Sequence, residues 1–326
     1  MNTLAHFTAA DARPDQSPAA SSASPVSAEL VAVLVAVTDA QPRVLTRERT
    51  HALPAGPFES SHRSLQAGLR AWVEAQTHHP LGYVEQLYTF ADRDRANTQG
   101  QRIISVSYLG LTRESGDLGI ESVGWQDWYR YFPWEDWRDG CPGMIRERIL
   151  PALQEWAARA DGAAGQRERR RRIGYTFGTD MDSWNEEMAL QRYELLFEAG
   201  LVPEAAEREG AQADRMLPGD PMHHDHRRIL ATAMARLRAK IRYRPVVFEL
   251  MPRDFTLLQL QQAFEALAGR RLHKQNFRRF IEQQSLVEDT GRMARGTAGR
   301  PAKLFRFRRD VMLERAIAGS KLPLAR

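Results

Sequence analysis

The chain has 326 residues, 43% apolar and 27% charged, enough for two domains at about 100 to 200 residues each, and a composition that excludes a collagen-like, coiled-coil or wholly disordered chain. The formal charge of +5 is unevenly placed: Gly269 to Arg309 holds twelve Lys or Arg against three acids, a net of +9, which leaves −4 on the remainder. Segregation of this kind points to a polyanionic partner for the C-terminal part.

The single cysteine, Cys141, excludes an internal disulfide. The longest apolar run, Leu30 to Val37, is far shorter than the roughly 20 residues of a membrane helix. Met1 to Glu29 is dominated by Ala, Ser, Pro and Asp and lacks the basic and apolar regions of a secretory signal. Residues 1–28 are read as a disordered leader, and a cytoplasmic protein with no membrane partner is expected.

Leu30 to Val37 reads as a strand closed by a turn at Thr38 to Pro42, and Val44 to Arg47 as the strand returning from it. A Pro- and Gly-rich segment, Leu53 to Pro57, precedes a helix over Leu65 to Gln76, whose Leu65, Leu69, Trp72 and Val73 share one face. Strands follow at Gly82 to Thr89 and Arg102 to Leu111, separated by a polar loop.

From Arg113 to about Arg215 the pattern changes. Trp125, Trp128, Tyr129, Tyr131, Phe132, Trp134 and Trp137 place seven aromatics in thirteen residues. Packing as a secondary core or subunit interface is the preferred reading, and stacking on an adenine base is the alternative. A helix carrying Ile145, Ile149, Leu153 and Trp156 is divided by Pro151, and another runs from Ser183 to Ala199, stopped by Gly200. Between them, Arg167 to Arg172 is a basic run suited to a solvated face or to DNA phosphate.

Met222 to Asp225 opens a helix reaching about Ile241. Its His223, His224 and His226 are too closely spaced to converge on a metal, so helix initiation is the preferred reading. Thr256 and Gln259 have capping-box spacing and start a helix that stops at Gly269. The next helix, from Lys274, carries an apolar stripe of Phe277, Phe280 and Ile281, with Gln275, Arg278, Arg279 and Glu282 opposite. A Gly-bearing loop, Thr290 to Gly299, leads to an alternating strand from Lys303 with Phe305 and Phe307 on one face. Three helices and a basic hairpin make a winged helix-turn-helix. Lys274, Gln275, Asn276, Arg278 and Arg279 are placed at base edges, and Arg292, Arg295, Arg300, Lys303 and Arg306 along phosphates or a minor groove.

Three stretches carry a resemblance. Leu53-Pro54-x-Gly56, Glu85 to Asp92 and Arg102 to Leu109 are similar to the Nudix domain of the Nudix-related transcriptional regulators of NAD metabolism. Arg227 to Arg238, Phe248 to Pro252, Asn276 to Arg279 and Gly299 to Phe307 resemble the same regulators in the same order. The likeness covers residues 30–112 and 222–309, and the segment between resembles only a longer branch of these regulators. Laid from Gly56, the acids of the Nudix signature fall on His62, Ala71, Glu74 and Ala75, its arginine on Arg70 and its closing glycine on Thr77. Metal-assisted hydrolysis needs several converging carboxylates, and only Glu74 remains.

The resemblance implies an α+β chain: a Nudix-type α/β/α sandwich over residues 29–215 with a helical insertion at 113–215, followed by a winged helix over 216–326. It implies a homodimeric, non-enzymatic repressor of NAD biosynthesis genes. Its partners would be double-stranded operator DNA and a regulatory adenine nucleotide (NAD, ADP-ribose or ATP), with no required cofactor, no metal and no catalytic residue. Arg47, Phe58, Arg70, Glu74 and Arg102 are the expected effector contacts, because guanidiniums chelate pyrophosphate oxygens. The alternative is a pyrophosphohydrolase of nucleotide sugars, of the ADP-ribose type, with an auxiliary domain.

Overall fold

The computed structural model describes residues 26–47, 51–77, 81–91, 101–114, 123–178, 184–205, 216–243, 246–294 and 301–308. Strand β1 (Ser27–Thr38) begins inside the stretch read as leader, and the rest of that stretch up to residue 25 lies outside the described residues. Asp39 and Ala40, both with positive φ (51° and 58°), turn it into β2 (Gln41–Arg47), as tight hairpin turns require. β3 (Ala55–Pro57), α1 (Leu65–Thr77), β4 (Tyr83–Phe90) and β5 (Ile103–Leu111) follow.

The sheet order is β4-β5-β1-β2-β6, with β3 beside β1. β1 and β5 are parallel, with Leu30 opposite Val106, and the other pairs are antiparallel. Side chains alternate across the sheet. Leu30, Ala32, Leu34 and Ala36 face α1 through Leu69 and Val73, whereas Val31, Val33 and Val35 join a core with Ile229 and Leu237 of α5 (His226–Tyr243). This is an α/β/α sandwich.

The edge strand β6 (Val123–Asp127) lies within the expected insertion yet joins the sheet. Val123, Gly124, Trp125, Gln126 and Asp127 show no strand-like apolar run, yet they pair with β2, Trp125 opposite Leu45. The aromatic segment beyond it is core: Trp128, Tyr131, Phe132 and Trp134 are fully buried. Next comes a π-helical turn, Ile145–Ile149, running directly into α2 (Leu150–Ala158) with Pro151 in its first turn. A proline there cannot donate to the preceding turn, which accounts for the change of winding.

The basic run lies on α3 (Gly162–Phe177), where Arg169 stacks over Trp156 at 4.1 Å and Arg172 pairs with Glu198. The helix expected from Ser183 is shorter, α4 (Ala189–Glu198). A 3-10 turn capped by the Asn185 side chain precedes it. α5 likewise starts later than expected, at His226, because His224 has a positive φ (48°) that a helix does not accommodate.

α6 (Leu257–Ala268) has the full capping box of Thr256 and Gln259 and ends at Gly269 in the left-handed conformation. Trp137 donates its backbone N–H to Gly269 O at 2.7 Å, and Tyr129 Oη donates to Ala266 O at 2.7 Å, so the insertion clasps the end of this helix. A Cβ on Gly269 would stand 2.4 Å from Glu135 O and 2.8 Å from Tyr129 Oη, at φ +71°. Gly269→Ala is therefore expected to lower stability by at least about 2 kcal/mol, measurable by thermal unfolding. An unchanged Tm would show that the clasp yields freely.

Candidate nucleic-acid interface and effector region

α7 (Lys274–Gln283) docks through Phe277 and Ile281, which are 5% and 0% exposed. Phe277 meets Phe264 of α6 edge-on at 5.4 Å. Phe280, expected in the same stripe, is instead 38% exposed. α7 is narrowly seated on α6, and a residue three positions past Phe277 has turned 300° and already leaves the contact. Lys274, Gln275, Asn276, Arg278 and Arg279 are all exposed. Among the described residues, no acid pairs with Arg278 or Arg279.

The wing consists of β7 (Val287–Met293) and β8 (Lys303–Phe307). β7 runs into the segment expected as loop. It passes through a register shift between Asp289 and Met293, where Gly291 has φ +70°. The base of the wing is fixed by rings, Phe307 lying 3.5 Å from Phe248 and 4.5 Å from Phe255 between centroids. Phe255 also bridges Phe305 through paired backbone hydrogen bonds.

The wing cations differ from those of α7. Arg292 pairs with Asp254, Lys303 with Asp289 at 2.8 Å, and Arg306 with Glu288 at 2.6 Å. Lys303 holds the Asp289 carboxyl below its ordinary range. Arg295 and Arg300 lie outside the described residues.

The five expected effector residues do not form one cluster. Phe58 and Arg102 sit at one end of β1: Phe58 donates its N–H to Ala28 O, and Ser27 donates to Arg102 O. Phe58 stacks on His62 at 5.8 Å, and the Arg102 guanidinium donates to Ala91 O at 2.9 Å. Arg70 does not pair with Glu74. Its guanidinium donates to Leu81 O and Gly82 O, which ties the α1–β4 connection to the helix and leaves Glu74 exposed. Arg47 is exposed at the end of β2, farther along the sheet.

The sequence reading assigned neither Glu29 nor His223 to this site. Glu29 accepts from Ser105 Oγ at 2.9 Å across the parallel β1–β5 pair. The His223 imidazole is held below its ordinary pKa by burial, by His224 and by Arg47, with Glu29 acting the other way. Arg47 and Glu29 thus act on the same imidazole with opposite sign. An acid inside the otherwise apolar β1 was the available signal. His226 is structural, its Nδ1 accepting from the Leu53 N–H at 2.9 Å. Among the described residues, no three His, Cys, Asp or Glu side chains are grouped to hold a metal ion.

Residues 247–307 match the family model described as the NrtR DNA-binding winged helix domain. Over these residues the C-terminal module is similar to the NrtR winged helix. Relatives of the chain include the protein described as ADPR responsive transcriptional repressor NtrR of Acinetobacter baylyi, 41% identical over 83 residues. That segment is 26% of this chain and spans one third (33%) of the relative's length. Among solved structures, Shewanella oneidensis NrtR complexed with a 27mer DNA aligns with TM-score 0.53 and 21% identity, over 87% of this chain and 94% of that one. A MutT/nudix family protein from Enterococcus faecalis aligns with TM-score 0.50 and 16% identity, over 91% of this chain and 90% of that one. These two likenesses show the fold, a Nudix-type sandwich with a helical insertion followed by a winged helix.

Proposed function

We propose that this protein is a DNA-binding transcriptional repressor of NAD biosynthesis genes, acting as a homodimer, whose operator affinity is set by an adenine nucleotide held without turnover in the sandwich. Residues 29–215 form the sensing unit and 216–326 the DNA-binding unit, with α5 packed against both. The observation that carries this reading is the pair of exposed guanidiniums, Arg278 and Arg279, on α7 of an NrtR-type winged helix. Such groups read guanine edges in the major groove.

ADP-ribose is the first effector to test, because the Acinetobacter relative is described as ADPR responsive. Arg47, Phe58 and Arg102, with Glu29 and His223, are its proposed contacts, and Arg70 positions the loop at Leu81. A nucleotide that binds two conformations unequally shifts the balance between them and so changes the presentation of α7. Turnover is not part of this reading. Of the signature acids Glu74 alone is present, and one exposed carboxylate does not hold a divalent ion on a pyrophosphate.

The test is binding to promoter DNA of NAD biosynthesis genes at physiological salt, with and without ADP-ribose, NAD and ATP, against scrambled DNA. Specific binding altered by a nucleotide is expected. Sequence-blind binding that no nucleotide changes would overturn the proposal. Release of product from ADP-ribose and magnesium, abolished in Glu74→Gln, would favour the hydrolase.

A further inference from the structure

Just past the end of β5 the sandwich, the connection to the winged helix and the wing line an open cleft of about 640 Å³. Arg113 follows β5, Phe248 and Glu249 lie on the 3-10 helix Val246–Leu250, Arg253 lies on the turn before α6, and Arg306 and Phe307 lie on β8. It is separate from the expected effector contacts. Arg102 stands at the start of β5 and Arg113 beyond its end, so a strand of roughly 30 Å divides them.

The charges of the lining are unbalanced. Three guanidiniums face one carboxylate, Glu249. Arg306 is engaged with Glu288 at 2.6 Å, whereas among the described residues no acid pairs with Arg113 or Arg253. Two guanidiniums converging on one cleft suit an anion with oxygens on more than one centre, because each can chelate a pair of oxygens. Phe248, Phe307 and the neighbouring Met251 and Pro252 supply an apolar floor. The volume is that of a site for a ligand of nucleotide size.

We infer that this junction is a second ligand site, which takes a phosphorylated organic anion of the pyrophosphate class and ties the wing to the sandwich when occupied. Arg113 and Arg253 bind the phosphates. Phe307 places the ligand against the strand that carries the wing, so occupancy favours one wing position over others. Recognition here does not depend on the sandwich being the nucleotide sensor.

Calorimetric titration of the full chain with inorganic pyrophosphate in EDTA, without DNA, tests the site at its simplest. One equivalent per chain is expected. The Arg113→Ala/Arg253→Ala double variant should weaken it by at least about 10-fold, since both side chains are exposed and their loss leaves the fold intact. Arg113→Lys/Arg253→Lys, which keeps the charge but loses the bidentate geometry, should lie between the two. Absence of saturable binding would overturn the inference, and so would binding that survives in the alanine variant. A third result would also overturn it: the alanine variant losing affinity equally for cognate and scrambled DNA while wild-type pyrophosphate binding vanishes in excess DNA. The arginines would then be backbone contacts.

Discussion

Arg278→Ala and Arg279→Ala are each expected to weaken binding to cognate DNA by about 1 to 3 kcal/mol, roughly 5- to 150-fold, and to narrow the gap between cognate and scrambled DNA. Both side chains are exposed on α7, and among the described residues neither is held by an acid. Their full hydrogen-bonding capacity is available to a base edge, and removing them costs the fold little, within about 0.5 kcal/mol for a surface change. The wing offers the contrast. Arg306 must leave Glu288 and Lys303 must leave Asp289 to reach a phosphate, so part of what the contact gains is lost with the pair. Lys303→Ala should weaken all sequences alike and reduce the salt slope by about one. Fluorescence anisotropy over a salt series separates the two behaviours. A double α7 variant that still prefers cognate DNA would show that sequence is read elsewhere.

The features legible in the sequence were those set by local rules. The apolar run of β1, the stripe on α1 and the Thr256 to Gly269 capping signals each depend on a few neighbouring residues, and each reappears in the structure. What was illegible depends on distant partners. β6 is a strand only because β2 offers an open edge. Arg70 and Glu74 stand one turn apart on α1, but two carbonyls beyond the helix end take the guanidinium. The distinction between paired wing cations and unpaired α7 cations is likewise tertiary, since Asp254 lies 38 positions from Arg292. The same limit hid the buried charges. Arg192, Arg227 and Arg238 are at most 2% exposed, although arginines are rarely fully buried unless paired.

The partner of two of these arginines is Glu135, within the aromatic segment. It accepts from Arg192 Nε at 2.6 Å and Nη2 at 2.9 Å, and from Arg238 Nη1. Arg192 also donates to Thr176 O and Asn185 O, and Arg238 to Leu267 O at the end of α6. One carboxylate thus holds together the insertion, α3, α4, α5 and the helix that presents α7. Glu135→Ala leaves two buried guanidiniums without their counter-charge, and a loss of about 3 to 5 kcal/mol is expected in urea unfolding.

The acid limb of the stability curve gives a second readout. Burial alone would raise the Glu135 pKa, but Arg192 and Arg238 more than offset it and hold the carboxyl below its ordinary value of 4.5. A carboxyl lowered in the folded state contributes stability that is fully present above its unfolded pKa and is lost as pH falls through the folded value. Wild-type stability should therefore drop below about pH 4.5 more steeply than that of Glu135→Gln, which cannot titrate there. Equal acid limbs, or an alanine variant within about 0.5 kcal/mol of wild type, would show that the arginines find other partners. In that case the clasp on α6 rests on Tyr129 and Trp137 alone.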